Sequence, residues 1–166
     1  MLRILDITAP DINNGNGVRV TLWVSGCTHK CKGCHNSWTW DYNQGKSLIE
    51  NQDEILNKLS EWLKRDYIDG ITISGGDPLD QSTESLKELL LLINWVKTTY
   101  PTKTIWLYTG FVKEELNEYQ NKIIDKIDVL VDGPYKEELR DIAHCPFRGS
   151  TNQRILYIKN NENLKK

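Results

Sequence analysis

Three of the four cysteines in this 166-residue chain fall within eight consecutive residues, at Cys27, Cys31 and Cys34. The fourth, Cys145, lies far along the sequence. A segment this short (residues 27–34, termed the cysteine loop) can bring three sulfurs to one point, so the spacing predicts an inorganic centre. An iron–sulfur cluster is held by Cys thiolates, normally four. Three thiolates would leave one iron of a four-iron cluster open, and chemistry takes place at open metal positions.

Zinc is the alternative metal that this spacing leaves open. A structural zinc site usually closes with four protein ligands, and His29 or His35 could complete a Cys3His set. A disulfide framework is disfavoured, because the N-terminus has no secretory pattern and Cys145 has no cysteine neighbour. The cysteines alone therefore predict a metal site without choosing its metal.

A second candidate segment follows a short strand predicted at residues 71–74. It reads Ser74-Gly75-Gly76-Asp77-Pro78. Two glycines at the end of a strand allow a backbone to approach a ligand closely, and Asp77 offers a carboxylate that can face a cation. Taken by itself, the same sequence is also typical of a plain turn.

Alternating strand and helix patterns surround these segments. Residues 18–24 alternate apolar and polar side chains, which predicts a strand that ends at the cysteine loop. Ser47 and Glu50 have the spacing of a capping box, and apolar residues at helical spacing predict a helix over 48–65. A second helix is predicted from Ser82 to before Pro101. The remaining strands are predicted at residues 4–7, 104–109, 128–132 and 154–158.

This alternation predicts an α/β fold with mostly parallel strands and right-handed crossovers. A closed eight-unit barrel needs about 250 residues, so we expect an open partial (β/α) barrel that forms a single domain over residues 1–166. Ligands in such folds bind at the carboxyl ends of the strands. Four predicted strands end in segments that could bind a ligand, namely Cys27 to Cys34, Ser74 to Asp77, Thr109-Gly110 and Asp132-Gly133.

The bulk composition excludes few functions. A formal net charge of −2 gives no argument for binding nucleic acid or membranes. No apolar run approaches the ~20 residues that span a bilayer. Reduced thiols then make a cytoplasmic protein the simplest expectation.

The cysteine loop and the Gly-Gly-Asp segment together resemble the signature of the radical S-adenosylmethionine (SAM) enzymes. That signature is three cysteines spaced C-x3-C-x2-C and a later Gly-Gly-Glu element. Gly33 stands where the family often has an aromatic residue, and Asp77 stands where Glu is commoner. Both departures are similar to those of the small glycyl-radical activases of anaerobic ribonucleotide reductase. The matching segments are 15–19, 26–36, 74–79, 108–110, 131–134 and 147–154.

The resemblance implies both a mechanism and a set of site residues. Three cysteines would hold a [4Fe–4S] cluster, whose open iron binds SAM. An external one-electron donor, flavodoxin-like or similar, would allow SAM to be cleaved to a 5′-deoxyadenosyl radical. That radical would take hydrogen from a glycine on the large subunit of the reductase. The implied cluster ligands are Cys27, Cys31 and Cys34, and the implied SAM contacts are Gly33, Cys34, His35, Ser74, Gly75, Gly76, Asp77 and Asp132.

Two other functions remain open at this point. One is a different radical SAM enzyme, either the activase of another glycyl radical enzyme or a catalyst of small-molecule radical chemistry. The other is a zinc-stabilised binding module without catalysis. The expected colour separates them, since an iron–sulfur protein is brown and a zinc protein is colourless.

The segment 147–154, F-R-G-S-T-N-Q-R, precedes the last predicted strand. If that strand is parallel to the others, the segment lies off their amino ends or along the open side of the barrel. Phe and Arg are frequent in interface anchors, so we expect the segment to help recognise the large subunit or to line the open side of the barrel that faces it. The alternative is a turn at Gly149-Ser150 with a solvated Arg148. Cys145 is expected to be a plain buried thiol.

Overall fold

The protein is built around one seven-stranded sheet, seen in a computed structural model that describes residues 1–141, 143–144 and 146–159. Three α-helices accompany the sheet in this part of the chain. In chain order the elements are β1 (Arg3–Asp11), β2 (Arg19–Val24), β3 (Lys46–Ser47), α1 (Gln52–Leu63), β4 (Gly70–Gly75), α2 (Thr83–Thr99), β5 (Thr104–Tyr108), α3 (Glu118–Ile124), β6 (Val129–Asp132) and β7 (Arg154–Tyr157). Short 3-10 turns lie at Ser37–Thr39, Lys113–Glu115 and Glu137–Leu139.

The strands are ordered β3-β1-β2-β4-β5-β6-β7, so β3 and β7 lie at opposite edges and the sheet is open. The four central strands β2, β4, β5 and β6 are parallel, as predicted. β1, β3 and β7 pair antiparallel with their neighbours. The prediction of an α/β fold with an open sheet is therefore confirmed, and the sheet is mixed, with three strands that pair antiparallel.

The parallel direction predicted for the last strand is wrong. A parallel return needs a long crossover, usually a helix. The connection from β6 to β7, residues 133–153, has no α-helix among its described residues, and β7 pairs antiparallel with β6. Asp132, the last residue of β6, lies opposite Arg154, the first residue of β7.

The two faces of the sheet carry different contacts. Leu22, Ile73 and Leu107 belong to one buried core that also contains the apolar sides of all three helices. Trp106 and Val131 belong to a second, smaller cluster, which includes residues of β7 and of the segment before it. The helices therefore cover one face, and the C-terminal part of the chain covers the other.

Arg19 is fully buried at the start of β2. Its guanidinium donates to the backbone oxygens of Ile71 and Thr104 and to the hydroxyl of Thr72. It also lies over the ring of Trp106, at 5.6 Å from the centroid. Burial lowers its pKa to about 10. These contacts give Arg19, the last residue of the 15–19 segment, a structural role, because its side chain joins β2 to β4 and β5.

α1 begins at Gln52, so the predicted start at residue 48 is wrong. Only half of the capping box predicted at Ser47 and Glu50 forms, because Ser47 Oγ accepts from the Glu50 amide at 3.4 Å but no helix begins there. Ser47 belongs to β3 and pairs with Arg3 of β1. Backbone pairing continues into the next residue, because the Leu48 amide donates to the Leu2 carbonyl. The helix can begin only after this pairing ends.

The predicted start of α2 is confirmed. Ser82 is its N-cap and accepts a hydrogen bond from the amide of Ser85 at 3.2 Å. In α3 the N-cap is Asn117, which forms a capping box with Gln120. None of the helices in the described residues is both long and apolar enough to cross a membrane.

Candidate cofactor site

The carboxyl ends of the four central strands lie at one edge of the sheet because these strands are parallel. The cysteine loop follows β2, Ser74 to Asp77 follows β4, and Thr109-Gly110 follows β5. The backbone of Asp77 donates to the carbonyl of Gly26, at the start of the cysteine loop, at 2.8 Å. The predicted convergence of these segments is therefore present in the fold.

The cysteine loop carries three free thiols. Cys27 is buried, whereas Cys31 and Cys34 are partly exposed. The amide of Cys34 donates to the carbonyl of Cys31 at 3.1 Å, which folds the second half of the loop into a turn. Three cysteine side chains, beside a cavity, fit an iron–sulfur cluster. They would leave one iron of a four-iron cluster free to bind a further ligand.

Burial changes the acidity of these thiols. It raises the pKa of Cys27 to about 11, and the nearby carboxylates of Asp77 and Asp80 act in the same direction. Burial also raises the pKa of Cys31. Metal binding requires thiolates, so a metal centre here must displace protons from its ligands as it forms.

Gly75 and Gly76 bring β4 against the backbone that leads into the cysteine loop. A Cβ on Gly75 would clash with the carbonyl of Val24, and one on Gly76 would clash with the carbonyl of Gly26. Gly75 also has a φ of +116°, which glycine alone adopts without strain. The two glycines therefore allow a close contact between two strand ends of this chain.

The carboxylate of Asp77 is 1% exposed and is surrounded by protein donors. It accepts hydrogen bonds from the Thr109 hydroxyl and from the amides of Leu79 and Gly110. His29, in the cysteine loop, donates from Nε2 to Oδ2 at 2.8 Å. The expected contact between this carboxylate and a bound cation is not supported by the geometry, because protein donors already occupy both oxygens.

The hydrogen bond from His29 has an electrostatic consequence. It raises the pKa of the imidazole, against the opposing effect of burial. Asp80 makes a second link to the same loop, since its carboxylate accepts from the amide and the hydroxyl of Thr28. Asp77 and Asp80 together attach the first half of the cysteine loop to the segment that follows β4.

A cavity of about 490 Å³ opens beside the loop. This volume is within the range of small-molecule and cofactor sites. Of the predicted site residues, Cys34, His35 and Ser74 line it, while Cys27, Cys31, Gly33, Gly75, Gly76, Asp77 and Asp132 do not. The lining residues are Ile12, Asn13, Asn14, Cys34, His35, Asn36, Ser74, Tyr108, Tyr135, Pro146, Phe147, Arg148, Gly149 and Gln153.

Asp132 lies in a buried ion pair away from this cavity. Its carboxylate is 1% exposed and accepts from Nε of Arg154 at 2.9 Å and from the amide of Lys113 at 2.7 Å. Arg154 also pairs with Glu114. The geometry therefore assigns Asp132 to the joint between β6 and β7 and does not support the expected polar contact to SAM.

The segment 147–154 lies at the same edge as the cysteine loop, so the predicted placement off the amino ends of the strands is wrong. The antiparallel direction of β7 is the reason. The alternative placement, along the open side of the barrel, stays a prediction. Gln153 holds the segment by accepting from the amides of Gly149 and Ser150 and donating to the carbonyl of Gly133. Arg148 lines the cavity, and its Nε is buried without a hydrogen-bond partner in the described residues. Cys145 lies outside the described residues.

Several cavity residues were not predicted from the sequence. Tyr108 donates from its hydroxyl to the carbonyl of Phe147 at 2.7 Å, and Tyr135 lies with its ring 5.2 Å from that of His35. Asn13 and Asn14 belong to the loop after β1. The position of Tyr108 at the end of a parallel strand was a usable signal, whereas the other three come from connecting segments.

One group of side chains in the described residues could hold a single metal ion. The ligand atoms of Cys27, His29 and Asp80 lie within 4.8 Å of one another. The Nε2 of His29 is bonded to Asp77, so only Nδ1 remains for a metal. This group differs from the Cys3His set that the sequence left open, because it shares only Cys27 and His29 with that set and adds Asp80.

The fold and site define a class of protein. An open α/β sheet carries three free thiols at the carboxyl edge of its parallel strands, next to a cofactor-sized cavity, as expected for a cysteine-ligated redox centre. A family model described as a 4Fe-4S single cluster domain matches residues 13–156.

Individual relatives match over nearly their whole length. The chain is 40% identical over 151 residues to the anaerobic ribonucleoside-triphosphate reductase-activating protein of Escherichia coli (strain K12), covering 90% of this chain and 94% of that protein. The proteins of the same name from Vibrio cholerae and Enterobacteria phage T4 are 43% and 39% identical, each covering 87% of this chain and 91% and 87% of their own lengths. The chain therefore belongs to the family of anaerobic ribonucleoside-triphosphate reductase-activating proteins, with a 4Fe-4S single cluster domain.

Proposed function

We propose that this protein activates anaerobic ribonucleotide reductase by reductive cleavage of SAM at a [4Fe–4S] cluster held by Cys27, Cys31 and Cys34. The observation that carries the proposal is that Cys34 and Ser74, from the two candidate segments, line one cavity of about 490 Å³. The proposed cluster ligand Cys34 and the first residue of the glycine segment, Ser74, thus share the space into which a small molecule would fit.

The proposed chemistry divides between the bound groups and the protein. When bound, the cluster and SAM would supply electron transfer to the sulfonium and a 5′-deoxyadenosyl radical, which takes hydrogen from a glycine of the large reductase subunit. The protein's residues would hold the cluster, orient SAM and shield both from water. Cys34, His35 and Ser74, which line the cavity, would contact SAM. The backbone contacts proposed for Gly33 and for Gly75 to Asp77 rest on the family resemblance alone, because these residues lie outside the cavity lining. Because the Asp77 carboxylate is occupied by protein donors, its side chain is not assigned to the ammonium.

The aromatic walls of the cavity support the same function. Tyr108, Tyr135 and Phe147 surround a site in which a reactive radical must not meet water. The open sheet accords with an open partial barrel of the radical SAM type, which we propose for the whole chain as a single domain. The partner is the large, glycyl radical subunit, and an external one-electron donor completes the system.

The test is anaerobic reconstitution with iron and sulfide, followed by reduction in the presence of SAM. We expect a brown protein that releases methionine and 5′-deoxyadenosine and forms a glycyl radical on the large subunit, detected by electron paramagnetic resonance (EPR). Cys31→Ala should lose cluster loading or SAM cleavage, because it removes one of three ligands. Cys145→Ala is the matched control and should keep iron content and cleavage.

Two outcomes would redirect the proposal. A colourless protein with one bound zinc would favour the group of Cys27, His29 and Asp80 and a binding module without catalysis. SAM cleavage without radical formation on the reductase would indicate a different radical SAM enzyme. Loss of the cluster in Cys145→Ala, with retention in Cys31→Ala, would contradict the ligand assignment.

A further inference from the structure

His29 is the one side chain of the cysteine loop that reaches into the sheet edge between β4 and β5. Its Nε2 donates to Oδ2 of Asp77 at 2.8 Å, and its side chain is only 20% exposed. Its ring packs edge-on against Phe111, with centroids 4.7 Å apart. A Cβ on Gly110 would come within 2.7 Å of the imidazole, so the glycine leaves room for the ring. Asp77, Gly110 and Phe111 therefore form a small pocket around this imidazole.

The acceptor of this hydrogen bond, the Asp77 carboxylate, is also held by donors other than His29. Asp77 is bound by the Thr109 hydroxyl and by the backbone amides of Leu79 and Gly110, from the segments after β4 and β5. A carboxylate held by donors from two strand ends has a fixed position, so a hydrogen bond to it fixes the partner as well. His29 is thereby attached to both strand ends at once.

The first half of the cysteine loop depends on this attachment. His29 lies midway between Cys27 and Cys31, and the next residue, Lys30, has a φ of +46° and an exposed side chain. Among the described residues, the other side-chain tether of this half is the pair of bonds from Thr28 to Asp80. The separation of Cys27 and Cys31 therefore depends on a few side-chain contacts.

We infer that His29 is a positioning residue, which anchors the cysteine loop on Asp77 and so sets the spacing of the Cys27 and Cys31 thiolates for their iron–sulfur centre. This inference rests on the proposed function for the identity of the metal centre. It also gives Asp77 a role, since its carboxylate holds the loop that carries the ligands. Partners that orient metal ligands indirectly are worth roughly 10–100-fold in metal affinity when removed.

The test compares two substitutions at one position. In His29→Gln the side-chain amide nitrogen can still donate to Asp77, whereas His29→Phe keeps the ring and loses the donor. His144→Ala, an exposed histidine paired with Asp141 away from the loop, is the control. Circular dichroism and thermal unfolding confirm that each variant is folded.

The first readout uses the metal-free protein. Hydrogen–deuterium exchange of the amides at 28–31 should be faster in His29→Phe than in the natural protein, and close to the natural rate in His29→Gln and His144→Ala. The second readout is iron release from the reconstituted protein to a chelator. His29→Phe should lose iron roughly tenfold faster, with an altered EPR spectrum of the reduced cluster, and His29→Gln should restore both properties.

The possible results separate this inference from the proposed function. Natural exchange and iron release in His29→Phe would overturn the anchor, and so would a His29→Gln variant as defective as His29→Phe, because the donated hydrogen bond would then be unimportant. If the natural protein failed to cleave SAM while the exchange differences remained, the proposed function would fail and the anchor would stand.

Discussion

Two aspartates at strand ends, Asp77 and Asp132, have almost no solvent exposure. A buried carboxylate is stable only when charges or hydrogen-bond donors match it. Asp77 is matched mainly by neutral donors and His29, and Asp132 by Arg154 and the Lys113 amide. At the scale of the residue, both therefore stabilise joints between segments that follow the parallel strands.

Arg154→Ala should reduce the free energy of unfolding by roughly 3 kcal/mol, because it leaves a buried carboxylate with little compensation. The value is at the lower end of the usual range since the Arg154 side chain is 41% exposed. Glu114→Ala, which removes the exposed partner of the same arginine, should have almost no effect. Urea unfolding of both variants measures the difference.

Equal losses in the two variants would contradict this assignment, because the exposed and buried pairs would then contribute alike. A small effect of Arg154→Ala alone would mean that solvent reaches Asp132 once the guanidinium is removed.

At the scale of the element, the start of α2 is joined to the cysteine loop. Gln81 donates from its side chain to the carbonyls of Ser25 and Asp77, both at 2.9 Å. The next residue, Ser82, caps the helix. The residue just before the N-cap of α2 therefore bonds to the backbone before the cysteine loop and to the segment that follows β4.

Ser82→Ala should lower the free energy of unfolding by about 1 kcal/mol, because the Ser85 amide loses its acceptor. Ser60→Ala, within α1, is the control and should be neutral or slightly stabilising, since alanine favours helix interiors. Chemical denaturation monitored by circular dichroism compares them. A Ser82→Ala variant as stable as Ser60→Ala would show that the cap contributes nothing.

At the scale of the whole molecule, the helices cover one face of the sheet and the C-terminal segment covers the other. Arg148 lines the cavity from that segment and donates to the carbonyl of Gln153 at 3.0 Å. A guanidinium suits carboxylates and backbone carbonyls. Under the proposed function, we expect a glycine-bearing loop of the large subunit to approach the cavity at this position.

Arg148→Ala should keep SAM cleavage by the isolated protein and lose glycyl radical formation on the large subunit. The two activities are measured separately, the first with a chemical reductant and the second by EPR. Arg140→Ala, an exposed arginine outside the cavity lining, is the control and should keep both. Loss of both activities in Arg148→Ala would assign the residue to SAM binding or folding, and retention of both would leave it no functional role.

The sequence by itself determined the local features of this protein. The spacing of Cys27, Cys31 and Cys34, the strand before them and the cap at Ser82 depend on neighbours in the chain, so periodicity and residue type predict them. The gathering of strand ends at one edge also follows from chain order, because parallel strands with helical crossovers must point the same way.

Only the tertiary structure decided how distant groups are paired. In the folded chain β7 pairs antiparallel with β6, so the segment 147–154 lies at the same edge of the sheet as the cysteine loop. The tertiary structure also gave the Asp77 carboxylate to His29 and the Asp132 carboxylate to Arg154. A buried carboxylate is stable only when donors or opposite charges surround it in the folded chain. The donors here lie 48 and 22 positions away in the sequence, and no local sequence pattern identifies them.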